Sequence, residues 1–314
     1  MKKSVRASLL LLLTSLIWGL AFVAQDVAMD SLEPFTFNGA RMVLATLVVL
    51  AFSLYQDWSA GKRQTRDYAL TGAGVPFRQM TALQKKNLLL GGVSCGVILA
   101  LASSLQQIGL QQGASAGKAG FITALYIVLV PLFGLFLGKK LRPPVLAAVV
   151  LCVAGLYLLC INGAFGLQKS DVYLILCALT FAGHILVIDH FSRITDCVKM
   201  SCLQFFVASV LCLSLSFFFE TPTWQGVRAC LIPLLYAGVL SGGLGYTLQI
   251  VAQKDTDPTI ASLIMCLESV FAVLGGWILL GDQMSAREYA GCAVMLCGIA
   301  LAQWPEKKAA QKQG

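Results

Sequence analysis

Residues 258–281 read PTIASLIMCLESVFAVLGGWILLG, a continuous apolar run carrying one charged side chain, Glu268. At 1.5 Å per residue, a helix of that length covers the ~30 Å hydrocarbon core of a bilayer. Apolar residues follow one another and do not alternate, which excludes a barrel strand. Eight similar runs precede it, at 7–24, 35–55, 87–109, 119–138, 144–162, 172–191, 200–219 and 229–251, and one follows at 285–304. The expected fold class is an all-α integral membrane protein of ten transmembrane helices. The tenth run is the least regular, because Arg287 and Glu288 fall in its first turn.

Composition agrees. Of 314 residues, 58% are hydrophobic and 12% charged, with a mean hydropathy of +0.79. A soluble chain carries ~25% charge, so soluble, disordered and collagen-like classes are excluded. The net charge of +8, from 23 Lys and Arg against 15 Asp and Glu, sits between apolar runs. It reflects topology, and no nucleic-acid partner is expected. The eleven cysteines contain no C-x-x-C and lie mostly inside the runs. They read as small hydrophobes, with no disulfide framework or metal spacing.

With the N-terminus inside, eighteen of the 23 basic residues fall in inside segments and four outside (Lys118, Lys169, Arg228 and Arg287), while Arg41 lies within a span. By the positive-inside rule both termini are cytoplasmic. The basic loop 56–86 is then cytoplasmic too, with a topogenic role and an attraction for anionic lipid. Lys2, Lys3 and Arg6 ahead of the first run resemble a signal peptide with a poor cleavage site. The run's place in the series makes it a retained first span.

A slide of 143 residues sets Gly138 on Gly281, Ala147 on Ala290, Gly155 on Gly298, Leu158 on Leu301 and Gln106 on Gln249. A slide of 163 pairs the first two runs with the sixth and seventh, setting Asp26 on Asp189 and Arg41 on Gln204. Lys139, Lys140 and Leu141 meet Asp282, Gln283 and Met284, a basic loop against an acidic one. Five spans repeated by five must be inverted, a transporter signature. The expected organisation is one five-helix repeat at 8–162, a second, inverted one at 172–303, and a basic cytoplasmic tail at 304–314.

These residues resemble the drug/metabolite transporter superfamily, EamA-type. The resemblance covers about 8–303. It rests on Trp18-Gly19, on Pro34 followed by Phe37-Asn38-Gly39-Ala40-Arg41, and on Leu105-Gln106-Gln107-Ile108-Gly109. It rests also on Ala116 to Thr123 running to Pro131, and on Leu267-Glu268-Ser269-Val270-Phe271 before Gly281-Asp282. The family usually has proline where Ser269 stands and glutamate where Asp282 stands. The resemblance implies a secondary transporter of the cell membrane, not an enzyme. It would move a small metabolite such as an amino acid by alternating access, with export the family-based expectation.

Glu268 lies midway along its run, where a charge costs roughly 2.5–3.5 kcal/mol on insertion scales. It should face the bundle interior, as a carboxylate for a proton or a substrate cation, or as a structural acid. His184 is past the middle of the sixth run, one turn beyond Thr180, and is either a proton relay or a neutral ring bonded to the backbone. Arg41 is six residues into the second run. It either attracts an anionic group or, the blander expectation, snorkels outward to Asp26, Asp30 or Glu33. Asp189 and His190 belong to the cytoplasmic interface. Trp18 and Gln25 share a helix face with Thr14 and Phe22. With the repeat mates Gln106 and Gln249, and with Tyr126 and Tyr246, they outline a central polar cavity. Each one alone is as readily an interhelical hydrogen bond. Kinks are expected at Pro131 and Pro233.

No phosphate loop, metal cluster or nucleophile–base pair is present in the sequence, so no cofactor is expected. Two alternatives stay open: an organic-anion or sugar-phosphate exchanger centred on Arg41, and an integral membrane enzyme. A channel would need charged or carbonyl-rich filter segments. The substrate, coupling ion, direction and oligomeric state are not encoded in any motif.

Overall fold

The computed structural model describes residues 3–60, 75–114, 116–138, 142–160, 168–275, 277–278 and 285–302, with helices and no strand among them. In chain order the helices are α1 (Lys3–Met29), α2 (Pro34–Ala60), α3 (Ala82–Gln111), α4 (Ala116–Ala124), α5 (Tyr126–Phe136), α6 (Pro143–Cys160), α7 (Lys169–Phe191) and α8 (Cys197–Phe219). Then come α9 (Trp224–Ala229), α10 (Leu231–Leu235), a π-helix (Tyr236–Tyr246), α11 (Thr247–Gln253), α12 (Pro258–Met265), α13 (Glu268–Gly275) and α14 (Ala286–Ala302). Among the described residues, seven helical stretches are long and apolar enough to cross a membrane, and Pro143–Leu159 and Pro258–Leu274 are shorter apolar ones. The protein is thus a multi-pass membrane protein.

The helix starts follow from local chemistry. Thr81 and Gln84 form a capping box on α3, Asp196 accepts from the Val198 and Lys199 N–H groups at α8, and Asp257 caps α12 ahead of Pro258. Of the two charges that disturbed the tenth run, Glu288 belongs to such a cap and Arg287 lies over the Tyr157 ring, 5.1 Å from its centroid. The Glu288 carboxylate accepts from the Ser285 N–H at 2.7 Å, and the Ser285 hydroxyl accepts from the Glu288 N–H at 3.3 Å.

Burial is inverted relative to a soluble protein. Phe136, Phe217 and Ile232 are more than 80% exposed, whereas Asn38, Gln107, Gln204 and Gln253 are fully buried. Lipid replaces water around the helices, so exposed apolar surface costs little and polar groups gather inside.

α2 packs along α8, and α6 along α14; α3 lies against α7 and α8, and α1 against the π-helix, α11, α12 and α13. Two of these pairs carry reciprocal contacts. At one end of the α2–α8 pair the Glu220 carboxylate accepts from the N–H groups of Phe35 and Thr36, at 2.7 and 2.6 Å. At the other end the Lys199 ammonium donates to Asp57 at 2.6 Å. Residues 36 and 199, like 57 and 220, are 163 apart. In the α6–α14 pair, a Cβ on Gly155 would strike Met295 and the Gly291 carbonyl, and one on Gly298 would strike Cys152 and the Ala148 carbonyl. These sets are 143 apart. A contact that maps onto itself when its partners exchange is the mark of a two-fold relation.

Pro131 lies inside α5, and Pro233 inside the five-residue α10, between the Cys230 turn and the π-helix that begins at Tyr236. Two further interruptions fall at Leu125, between α4 and α5, and at Cys266 and Leu267, between α12 and α13. Both contain tighter i→i−3 bonds: Leu125 N–H to the Ile122 carbonyl and Leu267 N–H to the Ile264 carbonyl, each 3.2 Å.

The π-helix has a register consequence. Gly238 faces the Arg41 carbonyl and Leu44, while Gly96 faces the Gln204 carbonyl and Val207. Residues 41 and 44 match 204 and 207 at 163, but Gly96 and Gly238 are 142 apart, one short of the spacing that relates Gln106 to Gln249. The wider turn of a π segment accommodates one extra residue in a helix. Tyr236–Tyr246 is therefore where the second half takes up that residue.

Candidate functional site

A small cavity, partly open to the surroundings, lies among the helices. α1 supplies Trp18, Ala21, Phe22 and Gln25, one helical face at i, i+3, i+4 and i+7. Arg41 comes from α2, Gln106 from α3, Thr123 from α4, Tyr126 from α5 and Phe181 from α7. Ser241 and Tyr246 come from the π-helix, and Glu268 from the first residue of α13.

The two helix breaks meet at this cavity. The Tyr126 hydroxyl, at the start of α5, donates to Glu268 Oε1 at the start of α13 over 3.1 Å. Across the lining, Arg41 Nη1 donates to Gln25 Oε1 at 2.8 Å, and its guanidinium lies 5.4 Å from the Phe37 ring centroid. Arg41 and Glu268 are each 4% exposed. A buried cation and a buried acid thus face one space without an ion pair between them among the described contacts. Each has a hydrogen-bonding neighbour, but Arg41 Nε is buried without a partner. The aromatic wall is fixed as well: Trp18 and Tyr246 ring centroids are 4.5 Å apart, and the Trp18 indole N–H donates to the Ser241 carbonyl at 3.2 Å. Ser15, on the same face of α1 one turn before Trp18, donates to the Ile264 carbonyl at 2.9 Å, just before the α12–α13 break.

Of the eight residues singled out from sequence, Trp18, Arg41, Gln106, Tyr126, Tyr246 and Glu268 line the cavity; His184 and Gln249 do not. His184 Nε2 meets Gln204 Oε1 at 3.2 Å, and Gln249 is buried on α11. Arg41 departs from its blander expectation. It turns inward to Gln25, and Glu33 of the outer loop accepts from the Thr221 N–H at 3.0 Å. Asp189 pairs with Arg193 at 2.7 Å on the last turn of α7. The described cysteines are free. Residues 139–141, 279–284 and 303–314, which include the compared loop segments and the basic tail, lie outside the described residues.

Thr123, Phe181 and Ser241 were not anticipated as lining residues. Phe181 had a signal, since the slide of 163 sets it on Trp18. Ser241 had none, because the π-helix sets its direction.

The EamA-like transporter family model matches this chain twice, at residues 5–161 and 168–304. An uncharacterised transporter of Archaeoglobus fulgidus is 27% identical over 95% of this chain and 85% of its own length. The uncharacterised transporter YoaV of Bacillus subtilis is 22% identical over 94% of this chain and 96% of its own. A chloroplastic WAT1-related protein of Arabidopsis thaliana is 22% identical, covering 92% of this chain and 67% of that protein. A crystal structure with 19% identity superposes with a TM-score of 0.74 over 95% of this chain and 96% of that one. Two matches spanning almost the whole chain, on an all-helical membrane fold with a polar interior, place the protein in the EamA-like transporter family of the drug/metabolite transporter superfamily.

Proposed function

We propose that the chain is a secondary active exporter of a small zwitterionic metabolite, an amino acid or a close relative, in the plasma or inner membrane. Ten spans in two inverted five-helix repeats, 8–162 and 172–303, rock about the central cavity, with both termini cytoplasmic. The paired family matches and the reciprocal contacts of α2–α8 and α6–α14 support the repeat. An odd number of spans per repeat supports its inversion.

The observation that carries the substrate reading is the pair of opposite charges, Arg41 and Glu268, lining one aromatic-walled cavity. Arg41 suits a substrate carboxylate and Glu268 a substrate ammonium. Trp18, Phe22 and Tyr246 suit an apolar side group and, over their ring faces, an ammonium. A sugar phosphate fits less well, because the carboxylate would face its anionic oxygens. Discontinuous helices meeting at the midpoint are the places where transporters put their binding groups.

Counterflow tests this reading. Proteoliposomes loaded with a metabolite library should exchange labelled amino acids or related zwitterions and leave sugar phosphates and simple dicarboxylates untouched. Exchange confined to organic anions would replace the zwitterion reading with the Arg41-centred one.

A further inference from the structure

The cavity draws on the two halves unequally. Gln106 lines it; Gln249, 143 residues on, does not. Arg41 and Ala21 line it; Gln204 and His184, 163 residues on, are fully buried. Tyr126 lines it; Ser269, again 143 on, is 3% exposed and outside the lining.

These four excluded mates share a second property. His184 Nδ1, Gln204 Nε2, Gln249 Oε1 and Ser269 Oγ are each buried without a hydrogen-bond partner. A polar atom left unpaired in a packed interior is destabilising and calls for a reason. His184, which meets Gln204 at 3.2 Å, also adjoins the cavity: its ring lies edge-on to Tyr246, which lines it, with centroids 6.1 Å apart.

We infer that His184, Gln204, Gln249 and Ser269 form a second half-site for the same substrate, used in the opposite conformation. The inference rests on the inverted-repeat transporter reading. In such a transporter the halves rock against each other around one central site; where the second state is reached by the halves exchanging conformations, each lining residue gives way to its mate. The atoms orphaned here would then bond the substrate. The two half-sites differ in chemistry. One holds Arg41 and the Tyr126–Glu268 pair; the other holds two amides, a hydroxyl and an imidazole. It binds a polar solute by hydrogen bonds and not by fixed charge, a weaker grip that suits release.

Two measurements on the full chain test this. The first is Gln249→Leu, which removes the orphaned amide. It should raise the thermal midpoint in detergent while slowing counterflow on the order of tenfold, the equivalent of one lost ligand hydrogen bond. A purely structural amide would give a stability change alone, and unaltered counterflow overturns the half-site. The second places cysteine at 249 and, separately, at 106, and follows modification by a small thiol reagent at each peptide by mass spectrometry. A saturating zwitterionic substrate on one side of the membrane should change the two rates in opposite directions. A cysteine at 249 that stays unmodified under every condition overturns the inference, even where Gln249→Leu does not fold. Failure of the transport reading looks different. The unaltered chain then moves no solute, while thiol reactivity at 249 still decides the half-site.

Discussion

Gly19→Ala adds one methyl group where α1 crosses α13. A Cβ at Gly19 would sit 2.5 Å from the Glu268 carbonyl oxygen, 2.7 Å from Phe271 Cβ and 2.9 Å from the Ala272 nitrogen. Two of these are backbone atoms, which cannot swing aside. The crossing has to open by about 0.9 Å to bring the closest approach to the 3.4 Å of ordinary van der Waals contact. Overpacking of this kind costs about 1–3 kcal/mol. The displaced residues are Trp18 on one side and Glu268 on the other, both in the cavity wall. Loss of stability should therefore come with a loss of transport, on the order of 10²-fold for a site misplaced by ~1 Å. Gly183→Ala is the matched control, because a Cβ there meets nothing within 4 Å. It should be neutral or gain about 0.5–1 kcal/mol from the lower backbone entropy of alanine. The assays are the thermal midpoint in detergent and counterflow in proteoliposomes. Equal midpoints and equal transport for Gly19→Ala and Gly183→Ala would refute the close-crossing argument.

Glu268→Gln keeps size and hydrogen bonding but removes the titratable proton. If the carboxylate carries a coupling proton, exchange survives and accumulation driven by a pH gradient is lost; if it holds the substrate ammonium, exchange fails too; wild-type transport under a pH gradient would exclude both roles. Arg41→Met should weaken uptake of a zwitterion by about 10–150-fold, the worth of a charged hydrogen bond, and leave an analogue lacking the carboxylate nearly unaffected; equal losses for both would point to a packing role. Glu220→Ala strips the start of α2 of its acceptor for two N–H groups and should cost about 1–3 kcal/mol, read as a lower thermal midpoint with the substrate preference unchanged; an unchanged midpoint would mean that water replaces the clasp.

Most of the membrane fold is legible in the chain, because twenty-residue apolar runs leave the backbone little alternative to helix in lipid. Glu268 is legible for the same reason: a carboxylate at mid-depth is too costly to face lipid. The directions of short polar side chains are not. Gln106 and Gln249 occupy like positions in their runs, yet one lines the cavity and the other is packed away. Arg41 had two plausible routes from its position on α2. Choosing between them required knowing that Gln25, sixteen residues earlier, stands across from it. Proline, the visible signal for a kink, pointed to Pro233, which lies between the Cys230 turn and the π-helix, but gave no sign of the breaks at the cavity. At Leu125 and at Cys266 and Leu267 the residues are unremarkable helix formers, and the break lies in the backbone bonding.

On the inverted-repeat reading, the chemistry of the cavity depends on how far the halves have diverged. Three of the ionisable lining residues stand opposite mates that carry no such group: Arg41 against Gln204, Glu268 against Leu125 and Tyr126 against Ser269. The Tyr126–Glu268 bond runs between α5 and α13, the segments that follow the two breaks. Residues 125 and 126 therefore lie beside 268 and 269, close to the relating axis. A glutamate at 125 would set a second carboxylate next to Glu268, and two like charges at such a point cannot both stay ionised. A second arginine at 204 would bury a cation in the packed interior against His184, which Gln204 now meets at 3.2 Å. A single cation from the first half and a single acid from the second avoid both conflicts. On the proposed function they also leave the cavity with a cation and an acid for a zwitterion, which neither half supplies alone. On that proposal the duplicated scaffold serves the motion, and the broken symmetry at 41, 126 and 268 serves the selectivity.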